Sequence, residues 1–334
     1  MSQFDLYGLG NALVDTEYRV SDELLEALDI EKGMMTLIDD VQLVALEKEL
    51  RDRGKLKKQA SGGSAANSLI AAANFGLEVF YSCKVADDNL GIFYHKDLID
   101  AGVATNLDQI REPGTTGRCL VMVTDDAERT MNTFLGITGN LGARDIDEMA
   151  LKASKILYIE GYLASSNKAH DAAMRAYQIA KDAGIQVALT FSDPAMVTYF
   201  KDQVSQIVGD GVDLLFCNEQ EAMTWTGKES IEEALTMLSK TATQWVCTRG
   251  KDGASVFDGT RRFDVPGRTV TPVDTNGAGD MFAGAFLYGV SNGWNFERSA
   301  RFGVHASGYL ITKYGPRLSL ASHAALLKEF EATG

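Results

Sequence analysis

The sequence predicts an α/β fold, a mostly parallel central sheet with helices on both faces, and three observations carry that expectation. Short β-rich runs alternate with longer helical patterns along most of the 334-residue chain, as repeated βαβ units require. Hydrophobic residues make up 45% and charged residues 23%, so a full core can be built and wholesale disorder is excluded. Two stretches, at about 14–60 and 115–136, break the alternation. They read as insertions that together form a small β-sheet lid on the main sheet, with 1–334 as a single domain.

Each element has its own signal. "FDLYGLG" (4–10) reads as a strand ending in glycine. "SAANSLIAAANFG" (64–76) reads as a helix whose small residues permit close packing, stopped by Gly76. "VFYSCKV" (79–85) is a buried strand, and "NLGIFYHKDLIDAGV" (89–103) a helix with its stop at Gly102. The second half repeats the rhythm: strand 155–161, a helix through "NKAHDAAMRAYQIAKDAG", strands 186–192 and 212–218, helix 230–240 and strand 244–250. Within the insertions, "MMTLID" lies between polar segments. "TTGRCLVMVTDDAERTMNTFLG" reads as two strands joined by a turn at "DDAE", a hairpin.

Composition narrows the function. A net charge of −14 argues against nucleic acid or an anionic membrane as partner. An anionic small molecule stays allowed, because backbone N–H groups bind phosphate whatever the global charge. Cys83, Cys119, Cys217 and Cys247 are widely spaced within apolar runs and read as reduced core thiols. His95, His170, His305 and His323 have no ligand spacing, which speaks against zinc. The start carries no signal-peptide pattern, and no apolar run reaches 18 residues. The chain therefore reads as soluble and cytoplasmic.

"GLGNAL" (8–13) lacks the third glycine of a dinucleotide fingerprint, and no P-loop pattern occurs. More telling is "DTNGAGD" (274–280) ahead of the apolar "MFAGAFLYGV". A helix starting near Gly279 would leave the N–H groups of Gly277, Ala278 and Gly279 free to converge on an anion, with the helix dipole behind them. Asp280, in the first turn, would be favoured in its ionised form and could take a proton from an attacking hydroxyl. The alternative is a capped helix start with Asp280 as an ordinary first-turn acid, which alone would not require both glycines. "SGGSAAN" (61–67) is a second glycine pair leading into a helix, where Gly62 and Gly63 permit close approach and Asn67 offers donor and acceptor. Alone it reads equally well as a tight strand–helix turn.

The ordered set "GNALVD" (10–15), "GGSAAN", "NEQE" (218–221), "TRGKDGA" (248–254) and "DTNGAGD" resembles the signatures of the PfkB, or ribokinase-like, family of carbohydrate and nucleoside kinases, over about residues 4–320. The resemblance implies a ribokinase-like fold with a β-lid, ATP and Mg²⁺ as cofactors, and γ-phosphate transfer to a hydroxymethyl group. It implies Asp280 as general base and Gly277, Ala278 and Gly279 as the anion hole. Asn218 and Glu221 would help to place Mg²⁺, through water. Thr248, Arg249, Gly250 and Gly253 would lie along ATP, with Asn11, Asp15, Gly62, Gly63 and Asn67 on substrate hydroxyls. Asn218 could equally end a strand, Glu221 be a first-turn acid and Arg249 a solvated charge.

"GNALVD" and the hairpin look most like the adenosine-kinase branch, where an arginine matching Arg129 approaches the phosphates. Met34, Met35, Leu120, Met122 and Phe134 are then candidates to cover a purine, and equally candidates for lid core. Sugar kinases of the family are the second reading, and a non-catalytic nucleoside- or nucleotide-binding protein is a reading of another class. "FGVHASG" (302–308) departs from relatives at Val304 and His305, which leaves the adenine contact open. "TKYGPRLS" (312–319) keeps a glycine but changes its neighbours, which leaves a K⁺ requirement open. Monomer and homodimer both remain open.

Overall fold

The computed structural model describes residues 3–126 and 128–333. The strands in chain order are β1 (Phe4–Leu9), β2 (Leu13–Arg19), β3 (Met35–Leu37), β4 (Lys55–Gly62), β5 (Val79–Ser82), β6 (Val103–Ala104) and β7 (Gly117–Val123). They continue as β8 (Arg129–Phe134), β9 (Ser154–Glu160), β10 (Gln186–Thr190), β11 (Val212–Asn218), β12 (Ala242–Thr248), β13 (Ala254–Phe257) and β14 (Arg262–Val265). Nine of them form one sheet in the order β14-β13-β12-β11-β10-β9-β1-β5-β6. From β12 to β6 every pairing is parallel, and β13 and β14 add an antiparallel edge.

Parallel strands covered on both faces carry apolar residues in both phases. In β9, Leu157 and Ile159 point into one buried cluster while Ile156 and Tyr158 point into the other. The sequence expectation of a two-faced sheet is met. Several boundaries move: the run at 79–85 is strand only over Val79–Ser82, and the last parallel strand runs over Ala242–Thr248. The chain leaves β5 early, and Lys84 is then buried against Asp145, 2.9 Å away.

The insertions come together as expected. β3, β8, β7, β2 and β4 form a second, five-stranded sheet. β7 and β8 pair antiparallel as a hairpin; its turn "DDAE" includes Ala127, which lies outside the described residues. The lid is more than strands, however. Helices Asp22–Ala27 and Asp40–Arg53 cover its outer face, the second closed by a capping box between Asp39 and Gln42.

One helix pair sets the geometry of the site. Ser64–Phe75 and Ala278–Ser291 pack face to face, and a β-carbon at Gly284 would lie 2.5 Å from the Ser68 carbonyl oxygen. Glycine at that crossing lets the two backbones approach, so the N-terminal turns of both helices open toward the same space. No described helix is long and apolar enough to cross a membrane.

Candidate active site

The helix Ala278–Ser291 begins after Gly277, which sits in the left-handed region at φ 73° with Pro316 packed against it. No side chain caps this helix. The first intrahelical bond runs from the Met281 N–H to the Gly277 carbonyl, 2.8 Å, so the N–H groups of Gly279 and Asp280 have no intrahelical acceptor. The expected three-amide hole is smaller than the sequence suggested: the Ala278 N–H is turned back to the Thr275 carbonyl at 3.2 Å. Gly277 and Gly279 line the cavity, and Ala278 does not.

Asp280 is held from the neighbouring helix. Ser64 Oγ donates to its Oδ1 at 2.7 Å and Asn67 Nδ2 to its Oδ2 at 3.0 Å. Burial raises the Asp280 carboxyl above its ordinary value, and the Ser64 and Asn67 hydrogen bonds with the Arg129 and Arg317 charges only partly offset this. Dehydration outweighs these partners here. A carboxylate so raised is a stronger base than a solvated one.

Both groups lie on a cavity of about 220 Å³ between the C-terminal ends of the parallel strands and the lid. At one end stand Asn11, Asp15, Gly63, Asn67 and Glu160. Burial pushes Asp15 up to about 7 against the pull of Arg317 and Arg129. Gly62 is not on the wall; it makes room for Asp15, whose carboxyl would lie 2.0 Å from a β-carbon there. Gly63 is needed at φ 95° with the Asn11 carbonyl closing on it.

At the other end stand Asn218, Glu221 and Thr248. Asn218 and Glu221 satisfy each other: Asn218 N–H and Nδ2 donate to the two Glu221 oxygens at 2.9 Å each, and the Glu221 N–H donates to Asn218 Oδ1 at 2.8 Å. This capping box starts the helix Glu219–Thr226. Burial raises the Glu221 carboxyl to about 8. A cation directly on these atoms would break the box, whereas one held through water would not. Arg249 turns to Glu219 at 2.8 Å, and Gly250 and Gly253 form the turn beyond β12. None of these three reaches the cavity wall, nor do Val304 and His305. Arg129 does, donating to Asn276 Oδ1 at 2.9 Å.

The lid face requires a correction. Leu120, Met122 and Phe134 pack outward against the two lid helices. Side chains alternate along a strand, so the cavity instead meets Cys119, Met131 and Thr133, with Leu13, Met35 and Leu37 beside them. Of the five apolar lid residues singled out in the sequence, Met35 is on the wall.

Sequence reasoning missed Ser64, Glu160 and Arg317. Ser64 stood inside "SGGSAAN" without a role. Glu160 ends an apolar strand, a carboxylate where none is needed for packing. It accepts from the Ala65 N–H at 2.8 Å and from Asn11 N and Nδ2 at 3.3 Å each, and burial raises it to about 8. Arg317 had no local signal at all. Ser192, a non-glycine residue at φ 70°, also lines the cavity.

All four cysteines are buried and unpaired. No group of three or more His, Cys, Asp or Glu among the described residues is arranged to hold a metal.

A family profile described as pfkB family carbohydrate kinase matches residues 30–323. The crystal structure of adenosine kinase from Sinorhizobium meliloti is 34% identical, with a TM-score of 0.91 over 98% of this chain and 100% of that one. That of a probable sugar kinase protein from Rhizobium etli CFN 42 is 33% identical, with a TM-score of 0.92 over 99% and 100%. Adenosine kinase from Dictyostelium discoideum is 26% identical over 94% of this chain and 96% of its own.

Proposed function

The chain belongs to the pfkB family of carbohydrate kinases, and from that premise we propose that it phosphorylates the hydroxymethyl group of a nucleoside, adenosine foremost, with ATP as donor. The observation that carries the reading is the carboxyl of Asp280, buried, hydrogen-bonded by Ser64 and Asn67, and set beside an uncapped helix terminus on the cavity wall.

ATP supplies the phosphoryl group; Asn218 and Glu221 would hold Mg²⁺, through water, and the ion would offset the phosphate charge. Asp280 takes the proton of the acceptor hydroxyl as its oxygen bonds to the γ-phosphorus. The bond from that phosphorus to the bridging oxygen breaks and ADP leaves. The Gly279 amide and the helix dipole stabilise the charge on the transferring group, where fixed dipoles count most. Arg129 adds a full positive charge on the same wall.

Two features favour a neutral, partly apolar acceptor. Asp15 and Glu160 stand at the acceptor end, and Arg129 is the one Lys or Arg on the wall among the described residues. A carboxylate or phosphate on the acceptor would find no cation there beyond Arg129. The lid contributes Leu13, Met35, Leu37 and Met131 to the same space. An apolar wall suits a base and gives a free sugar nothing to bind.

The test is ADP release with ATP·Mg²⁺ against adenosine, inosine, ribose and fructose, with Asp280→Asn in parallel. Adenosine should give the highest kcat/KM. A free sugar ranking first overturns the nucleoside reading. Asp280→Asn should lose about 10²–10⁴-fold in kcat, and wild-type turnover in that variant overturns the assignment of the base.

A further inference from the structure

We propose that Arg317 is a positioning residue for phosphoryl transfer: its guanidinium locks the side-chain amide of Asn67 in the orientation that donates to Asp280. The inference rests on the reading of Asp280 as the base.

The argument is one of donors and acceptors. A guanidinium has five N–H donors and no acceptor. Arg317 Nε lies 2.9 Å from Asn67 Oδ1, so the oxygen of that amide must face Arg317. The Asn67 NH₂ is then left for Asp280 Oδ2, 3.0 Å away. The reversed amide would set NH₂ against guanidinium and oxygen against carboxylate, two unfavourable contacts in a buried place. Without the guanidinium, only Asp280 itself would orient Asn67.

Arg317 is fixed in turn. Its Nη1 donates to Asp97 Oδ2 and Ser61 Oγ, both at 2.8 Å, and the side chain is 10% exposed. A relay therefore runs from Asp97 through Arg317 and Asn67 to Asp280, joining the end of β4, the helix Asn89–Asp100, the segment after the helix Phe296–Leu310, and both helices of the site. Arg317 also acts through space. Around Asp280 stand the carboxyls of Asp15 and Glu160, the Tyr158 phenol and the cations Arg129 and Arg317; Lys58 and Asp97 flank Arg317 itself. Arg317 is the largest charge favouring ionised Asp15 and one of two favouring ionised Asp280.

A purely structural arginine would give a different result from a positioning one, and the pH profile tells them apart. Wild type, Arg317→Gln and Arg317→Lys are compared in kcat at saturating adenosine from pH 5 to 9, where the effect of Asp15 on KM drops out, with thermal melts alongside. Asp280 must be ionised to act, so activity falls as pH drops through its value. Loss of the arginine charge raises that value. The acid limb of Arg317→Gln should move up by about 1 pH unit, near tenfold at a pH below the limb. Arg317→Lys keeps the charge but loses the fork, so its limb should move up by less. A limb unmoved in both variants, with activity lowered uniformly or not at all, overturns the proposal. Should the glutamine variant not fold, the lysine variant decides by the same criterion. Asp280→Asn is measured in the same buffers. If it turns over like wild type, the base assignment fails; if it is inactive while the Arg317 limbs stay in place, only the present inference fails.

Discussion

Gly279 stands in the first turn of the helix Ala278–Ser291, and a β-carbon built there meets no atom within 4 Å. Its φ is not among the positive ones. Neither backbone nor packing therefore requires glycine, and Gly279→Ala should stabilise the fold by roughly 0.5–1 kcal/mol from reduced chain entropy and better helix propensity. For a chain of this length that is about 1 °C in Tm. Catalysis should move the other way. The new methyl projects into the cavity beside the Gly279 N–H and keeps a phosphoryl oxygen from reaching it. Removing one donor of this kind costs about 2.7–4 kcal/mol, or 10²–10³ in kcat. The effect should fall on kcat more than on KM for the nucleoside, because the charge develops in the transition state. The assay is a thermal melt paired with steady-state kinetics on one preparation. An unchanged or raised Tm together with wild-type kcat would show that the open space beside Gly279 serves no anion.

On the proposed reading Asp15 should make acceptor affinity pH-dependent: its carboxyl, raised to about 7, offers both oxygens as acceptors to substrate hydroxyls only when ionised, so KM should rise as pH falls through that value, and Asp15→Asn should flatten the dependence in a KM–pH series. Asp15→Ala should cost about 1–3 kcal/mol in kcat/KM for adenosine. Glu17 is 3% exposed and its carboxyl meets that of Asp274, so burial and that neighbour raise it. The folded state then holds the Glu17 proton to higher pH than the unfolded chain does, and stability from this group is lost as pH rises from the ordinary carboxylate range through the folded value. Glu17→Gln can donate to Asp274 at every pH and should raise Tm at pH 8.5 but hardly at pH 5; an equal shift at both would refute the linkage.

The parallel strands were legible because both of their faces are buried, which writes an uninterrupted apolar run into β9 and β11. The same property hid the lid's inner face. In β7, Leu120 and Met122 serve the outer lid core while Cys119, Val121 and Val123 serve the inner side. Both phases are apolar, so the sequence carries no sign of which one faces a ligand, and choosing Leu120 over Cys119 is a one-residue error that turns every side chain over. Arg317 and Glu160 were illegible for another reason. Their partners lie far along the chain, Asn67 for the first and Asn11 and Ala65 for the second, and no local spacing records such a meeting.

The helix termini at the cavity show where residue type alone stops being informative. Asn218 and Glu221 occupy the N-cap and third positions of a helix, and a capping box asks for the same two residue types at the same spacing as a pair that orders a hydrated cation. The structure finds the box closed, with each side chain satisfying the other's backbone. At Ser64–Phe75 no side chain of the cap residue contributes, yet Glu160 reaches across from β9 to take the Ala65 N–H. Ala278–Ser291 has neither arrangement. Its cap is glycine, and its acidic third residue turns away to Ser64 and Asn67. Of these three termini it is the one with no carboxylate or amide side chain on its first-turn N–H groups among the described residues, and it is the one that carries the candidate base. On the proposed reading, drawing Asp280 to the neighbouring helix leaves the Gly279 amide open to the phosphoryl group and a carboxylate lone pair for the hydroxyl that attacks it.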